Sequence, residues 1–247
     1  MSIGYSLATG SSLWGAPQFA SATGKVMLLD KELGEDTLAA RVGRFFGGLG
    51  PTDLTSASKN FVAFTGNPRF KFDNPANRGV LDKLVEENQP NVVIVDPVSR
   101  FLSGSDSDND AVAHFIETLD VVRDKYRDLG LSYVLIHHFK KPEYDYRGEL
   151  VHAGSAYNFR GASRWYDDAD AVVTMVRHEV DGDRHWRLKC ETRTRHGAGP
   201  GEFWLSVKPD SSTPVSWEGV RDSKSTNEPE TKPEPGASDR AVRRFRG

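Results

Sequence analysis

The sequence is poor in cysteine, in long hydrophobic runs and in net charge, and each shortage excludes a class of protein. The single cysteine, Cys190, excludes an internal disulfide framework and a zinc site built from several cysteines. A reducing, cytoplasmic compartment is therefore expected. No apolar run approaches the roughly 20 residues of a membrane-spanning helix, so no membrane partner is expected. The net charge of −3 argues against a generally basic surface, although a local basic strip for nucleic acid stays compatible with it.

The sequence also lacks a loop of the form Gly-x-x-x-x-Gly-Lys-Ser/Thr, whose backbone N–H groups hold phosphates at the start of a helix. Its one Gly-Lys pair, Gly24 and Lys25, is followed by Val26 and has no glycine five residues before it. Because this pair leads into an apolar run typical of a strand, we do not expect it to act as a phosphate-binding loop.

The composition changes near Pro209, after which the chain is rich in proline, serine, threonine, glutamate and lysine. Such a segment cannot bury enough apolar surface to offset the entropy lost on ordering. We therefore predict a folded core over residues 1–208 and a disordered tail over residues 209–247. The arginines near the end of the tail are either solvated charge or an electrostatic contact to nucleic acid or a partner.

The core alternates between short apolar runs, typical of strands, and longer segments with apolar residues every three or four positions, typical of helices. Strands are predicted at 25–30, 61–64, 92–96 and 132–138, and helices at 35–46, 77–89 and 110–129. The apolar cluster of the second helix is predicted to be Val80, Leu81, Leu84 and Val85. Asp110 is expected to cap the third helix and Gly130 to stop it.

Three more strands are predicted at 171–178, 185–191 and 202–207, the first two joined as a hairpin by an Asp-Gly turn. Alternation of strands and helices predicts a parallel sheet. The expected fold is therefore α/β, with a mostly parallel sheet flanked by helices and finished by antiparallel strands toward the C-terminus.

Ionisable side chains follow three of the predicted parallel strands. The first ends at Asp30 and Glu32, another at Asp96, and the last at His137 and His138. The carboxyl ends of parallel strands meet at one edge, where ligands of such sheets bind. A carboxylate there suits Mg²⁺ held through water, and a nearby glutamate can activate a water molecule that attacks a phosphate.

Each of these residues also has a plainer interpretation. Asp96 could cap the turn at Pro97, and Glu32 could be a solvated loop residue. His137 and His138 are adjacent, so they point to opposite faces of a strand and only one of them is expected to face the site.

Four segments in this order resemble the RecA-like ATPases of the plasmid RepA type, which are related to DnaB-type replicative helicases and to KaiC-like ATPases. They are "KVMLLDKELGEDTLAARV", "NVVIVDPVSRFLSGSDSDNDAVAHFIETLDVV", "YVLIHHFKKP" and "RGASRWYDDADAVVTMVR". The resemblance runs from about residue 3 to 207. It implies a RecA-like fold, ATP and Mg²⁺ as cofactors, and ATP hydrolysis coupled to DNA in replication or recombination.

The resemblance also implies roles for the residues at the strand ends. Asp96 matches the Walker B aspartate that supports Mg²⁺ through water, and with Ser99 it is predicted to bind the nucleotide. Glu32 matches the catalytic glutamate. His137 or His138 matches the histidine that contacts the γ-phosphate.

Three arginines match positions that reach a neighbouring subunit's phosphates in this family: Arg160, Arg193 and Arg195. Planar guanidinium groups suit phosphate oxygens. This match implies a homo-oligomeric ring or filament, typically a hexamer. Ordinary surface charge is the alternative interpretation of each arginine.

A basic and aromatic segment follows the predicted strand at 132–138, and its members are Lys140, Lys141, Tyr144 and Arg147. Basic side chains can pair with the phosphates of single-stranded DNA, and aromatic side chains can stack on its bases. The alternative is a loop with incidental charges.

The first residues of the chain resemble the family segment that follows the P-loop, so Met1 is expected to lie just downstream of a missing Walker A motif. A truncated reading frame and a true paralogue without a P-loop both fit this observation. In either case the chain is expected to bind ATP poorly and to be inactive by itself. The alternative functions are a non-hydrolysing oligomerisation or nucleic-acid-binding module and a KaiC-like regulatory ATPase.

Overall fold

The structure of the chain is a computed structural model. It describes residues 1–65, 69–138, 143–144, 150–151, 164–179, 186–194, 201–207 and 215–220. The helices are α1 (Ser2–Thr9), α2 (Glu35–Phe46), α3 (Pro51–Asn60), α4 (Arg78–Asn88), α5 (Asn109–Lys125) and α6 (Arg164–Asp167). The strands are β1 (Val26–Asp30), β2 (Phe61–Thr65), β3 (Val92–Asp96), β4 (Ser132–Leu135), β5 (Glu143–Tyr144), β6 (Leu150–Val151), β7 (Ala171–Glu179), β8 (Trp186–Thr194), β9 (Glu202–Val207) and β10 (Val215–Val220).

A parallel sheet of four strands, in the order β2-β1-β3-β4, forms the centre of the fold. All five side chains of β1 are buried, as is usual for a parallel strand that is covered on both faces. The predicted α/β class is confirmed, and the sheet with its flanking helices is consistent with the RecA-like fold that the resemblance implies. Within the described residues, no helix is long and apolar enough to cross a bilayer.

Alternation along the two central strands divides their side chains between two cores. Met27 and Val93 point to one face, where α4 and α5 form the larger core. Leu28 and Ile94 point to the other face and pack with Leu38 of α2. Asp30 and Asp96, the last residues of β1 and β3, follow the same alternation as Leu28 and Ile94. Their carboxylates therefore lie on the face of the sheet that α2 covers.

The residue that caps the start of helix α5 lies two positions before the one that the sequence predicts. The side chain of Asp108, not that of Asp110, accepts hydrogen bonds from the backbone N–H groups of Asp110 and Ala111. Asp110 instead lies in the first turn, where its charge suits the helix dipole. The α-helix ends at Lys125, and Gly130 with φ 62° closes the short turn that follows.

Helix α4 corrects one predicted core residue. Leu81 and Val85 are fully buried, as their spacing predicts, but Val80 is 45% exposed. Position 80 lies one residue from the buried stripe, about 100° around the helix from Leu81, so its side chain points sideways rather than into the core.

The four C-terminal strands form a separate antiparallel sheet, in the order β10-β9-β8-β7, rather than extending the parallel one. The predicted hairpin pairing of β7 with β8 is confirmed, although its turn lies outside the described residues. Strand β10 lies inside the segment that composition assigns to a disordered tail. It is ordered because Trp217 packs against Phe203 and Phe19, with ring centroids 5.2 Å apart in both pairs.

Candidate functional site

The candidate site begins with two carboxylates on neighbouring strands. Asp30 ends β1 and Asp96 ends β3, and the two residues are direct partners in the parallel register. The ends of these two strands therefore meet at one edge of the sheet, as predicted. The same register holds the next residue in place, since the N–H of Lys31 donates to the carbonyl of Asp96 at 2.9 Å.

Asp30 is buried, with 2% of its surface exposed, and it organises the turn after β1. Its Oδ1 accepts hydrogen bonds from the backbone N–H of Glu32 at 2.9 Å and of Leu33 at 2.7 Å. These bonds offset part of the cost of burying a carboxylate. They also fix the turn that carries Glu32, and Glu32 is exposed to solvent.

Asp96 lies in a field dominated by negative charge. Burial raises the pKa of its carboxyl, and the charges of Asp30 and Glu32 raise it further. The amine of Met1 and His138 oppose this effect. Burial lowers the pKa of that amine in turn. A carboxylate with this environment is a favourable place for a cation.

The two adjacent histidines go to opposite sides, as alternation predicts. His138 is exposed and its charge acts on Asp96. His137 turns into the larger core, where only 7% of its side chain is exposed and its Nε2 lies 4.0 Å from Asp106 Oδ2. Its ring lies 5.5 Å from that of Trp165, whose indole N–H donates to the Asp106 carbonyl. Of the pair, His138 is therefore the one on the carboxylate side.

The chain turns sharply after Asp96 and is held against β4. The N–H of Val98 donates to the carbonyl of Ile136, and the N–H of Ile136 donates to Val95. Ser99 follows in a short turn, where it is exposed at the carboxyl edge of the sheet. Its predicted contact with a nucleotide stays a prediction.

The donor set fits the Mg²⁺ that the family implies. Mg²⁺ prefers oxygen ligands, keeps several waters and often uses one or two protein carboxylates. Asp96 supplies such an oxygen in a negative field. Over the described ranges, no group of three or more His, Cys, Asp or Glu side chains could hold a metal ion.

Of the three arginines predicted to reach a neighbour, the structure describes Arg193. It is an exposed residue of β8, and its guanidinium lies 4.0 Å from the ring centroid of Tyr166 in the same chain. Several other predicted positions lie outside the described residues: Arg160, Arg195, Lys140, Lys141, Arg147 and the side chain of Tyr144.

Lys31 is a residue of this edge that sequence reasoning does not single out. Its Nζ donates to the carbonyl of Phe70 and lies 4.4 Å from the ring centroid of Phe101. Burial, and then the positive charge of Lys71, lower the pKa of Lys31 to about 8. Its place between Asp30 and Glu32 is the one signal in the sequence, and a lysine between two acids ordinarily reads as surface charge.

A comparison with protein families agrees with this geometry. A family model described as an AAA domain matches residues 1–143, more than half of the 247 residues. The matched segment contains the whole parallel sheet, both carboxylates and the two histidines. A search of curated proteins finds no match to the chain. The chain belongs to the AAA domain family of P-loop ATPases.

Proposed function

We propose that the chain is the core of an ATP-hydrolysing, DNA-associated motor of the RepA and DnaB helicase type, acting in replication or recombination. The observation that carries this proposal is the register pairing of Asp30 with Asp96 at the carboxyl edge, beside an exposed Glu32. Membership in the AAA domain family supports the ATPase part of the proposal. The resemblance to RepA-type proteins supports the DNA-associated part.

The residues divide the chemistry of hydrolysis between them. Glu32 orients a water molecule and accepts its proton while the water oxygen bonds to the γ-phosphorus, and the bond to the leaving oxygen of ADP breaks. His138 donates a hydrogen bond to the γ-phosphate. Asp96 would hold Mg²⁺ through water, and the ion would supply charge neutralisation for the phosphates. Asp30 positions Glu32 through the turn that its carboxylate organises.

The remaining partners follow from the same family resemblance. Arg160, Arg193 and Arg195 would act on the nucleotide of a neighbouring subunit in a hexameric ring or filament. Lys140, Lys141, Tyr144 and Arg147 would contact single-stranded DNA.

One sequence observation favours a second candidate. The chain contains no Gly-x-x-x-x-Gly-Lys-Ser/Thr, and the backbone amides and lysine of that motif supply much of the electrostatic stabilisation in phosphoryl transfer. The second candidate is a non-hydrolysing oligomerisation or nucleic-acid-binding module. A KaiC-like ATPase that acts on a protein partner would hydrolyse ATP without responding to DNA.

Phosphate release with and without single-stranded DNA separates these functions. The chain is assayed as wild type and as Glu32→Gln, together with any longer in-frame product that sequencing of the upstream DNA identifies. For the motor, DNA stimulates hydrolysis and Glu32→Gln lowers its rate by about 100-fold or more. Glu86→Gln, which removes an exposed carboxylate on α4, serves as the matched control. Hydrolysis that ignores DNA supports the regulatory ATPase, and no hydrolysis in any of these assays supports the binding module.

A further inference from the structure

A cavity lies at the carboxyl edge, on the face of the sheet opposite to Asp30 and Asp96. Its volume is about 240 Å³, and it opens between β2, α4 and the turn after β3. Its apolar wall is formed by Leu29, Phe64, Phe70, Leu84 and Phe101. Leu29 and Phe101 belong to the larger core, so the cavity is an opening into that core rather than part of the carboxylate site.

The rim of this cavity presents exposed apolar surface. Val80 lines the cavity and is one of the large hydrophobic residues left exposed on the described surface. Exposed apolar side chains at a concave site are typical of ligand-binding surfaces. The volume is below the roughly 300–1,000 Å³ of sites for drug-sized ligands, which suits a smaller molecule with a single ring.

Positive charge is concentrated beside the same aromatic rings. The ammonium of Lys31 lies 4.4 Å from the ring centroid of Phe101 and 5.6 Å from that of Phe70. Lys71 donates to the carbonyl of Arg100 at 2.7 Å, and Lys31 approaches the same oxygen at 3.5 Å. Two ammonium groups therefore share one neutral acceptor beside the rings of Phe70 and Phe101, and both lysines lie behind the cavity lining rather than in it.

No carboxylate balances these two charges among the residues that the structure describes. Neither Lys31 nor Lys71 forms an ion pair within 4.0 Å there, whereas Lys125, Lys83 and Lys189 each do. Two like charges held together without a counter-charge repel each other, and an anion placed between them would relieve that repulsion.

The polar part of the wall is fixed in position before any ligand arrives. Asn77 lines the cavity and donates to the carbonyls of Arg69 and Lys71, at 3.2 Å and 2.9 Å. These bonds hold the segment that carries Arg69, itself a lining residue, and the ammonium of Lys71. Preorganised polar groups lower the entropy lost on binding.

We propose that this cavity binds a small organic acid, with one ring or a short apolar body inside the aromatic wall and its anionic group against Lys31 and Lys71. The carbonyl of Arg100 orients the two ammonium groups, and the exposed side chain of Val80 closes over the bound ring. This site is independent of the proposed ATPase chemistry, because it uses neither Asp96 nor Glu32.

Heteronuclear NMR titration of the intact chain with phenylpropionate tests the proposal, and neutral phenylpropanol is the matched probe. We expect saturable shifts at Phe70, Val80 and Phe101 with an affinity on the order of millimolar, which is usual for a ligand of this size. The alcohol should bind several-fold more weakly, and added salt should weaken the acid alone.

Two variants make the test specific. Lys71→Gln should weaken phenylpropionate about threefold to fivefold and leave phenylpropanol unchanged. Val80→Phe, at an exposed helix position, should fill the rim and abolish binding of both probes. Lys83→Gln and Val121→Phe are the controls, because Lys83 is exposed and paired with Glu87 rather than with the Arg100 carbonyl, and Val121 is an exposed valine that does not line the cavity. Equal binding of acid and alcohol, shifts that map elsewhere, or unchanged binding by Val80→Phe would overturn the proposal.

Discussion

Asp30 and Asp96 are register partners on adjacent parallel strands, yet within the part of the chain that the structure describes only the Asp30 carboxylate accepts hydrogen bonds from backbone amides. Burial raises the pKa of the Asp96 carboxyl, and the charge of Asp30, held beside it by the strand register, raises that pKa further. One carboxylate therefore has a structural role, and the other is left in an environment that a cation would improve.

Replacing Asp96 by asparagine should stabilise the chain near neutral pH in the absence of Mg²⁺. The folded-state pKa of Asp96 is above its ordinary value of 3.8, so the wild-type fold loses stability as the pH rises from about 3.8 to the folded pKa, and the full cost is present above the folded pKa. The gain from Asp96→Asn should shrink as the pH falls through that pKa, because the wild-type carboxyl then becomes protonated in the fold. Thermal unfolding over a pH series measures this difference.

Asp128→Asn is the matched control for that series, since Asp128 is an exposed aspartate on a surface turn. It should change the unfolding temperature little at any pH. A lower unfolding temperature for Asp96→Asn near neutral pH would mean that the charge of Asp96 stabilises the fold, which contradicts the prediction.

Substitutions at Asp30 should separate its hydrogen bonds from its charge. Asp30→Ala removes both bonds to the turn and leaves the N–H groups of Glu32 and Leu33 without this acceptor, which should cost about 1–3 kcal/mol of unfolding free energy. Asp30→Asn keeps an oxygen at the same place and should cost less. Denaturant unfolding compares the two, and equal losses would show that the charge rather than the acceptor is what the turn requires.

Lys31 should react with amine reagents much faster than an ordinary lysine. With a pKa of about 8, roughly half of Lys31 is neutral, and therefore nucleophilic, at that pH. Lys125 is a contrasting control, because hydrogen bonding to Asp82 raises its pKa. Brief acetylation followed by mass spectrometry should find Lys31 modified first, with a rate that rises steeply and then levels above pH 8. Similar rates at both lysines would contradict the prediction.

Periodicity predicts the parallel sheet well because β1 and β3 are covered on both faces and are therefore apolar at every position before their final aspartate. The same reasoning predicts that only one of His137 and His138 faces the site, and it leaves the choice between them to the strand register. Strand β10 escapes prediction because its order depends on aromatic contacts made by Trp217 with distant residues, which composition does not reveal. The exposure of Val80 and the shared contact of Lys31 and Lys71 with the Arg100 carbonyl likewise depend on tertiary structure, and no local sequence pattern indicates them.

Cys190 should report the unfolding of the antiparallel sheet. Its side chain is fully buried with Phe203 and Leu205, and burial raises the pKa of the thiol to about 12. The thiolate is the reactive form, so both access and ionisation protect the native cysteine. Reaction with an aromatic disulfide reagent should be slow in the native chain and rapid in denaturant. Phe203→Ala removes a packed ring next to the thiol and should raise the rate at which the native thiol reacts. Phe115→Ala leaves a similar cavity in the core of the parallel sheet and should destabilise that core. A larger effect of Phe115→Ala on the thiol rate would show that the two sheets unfold together.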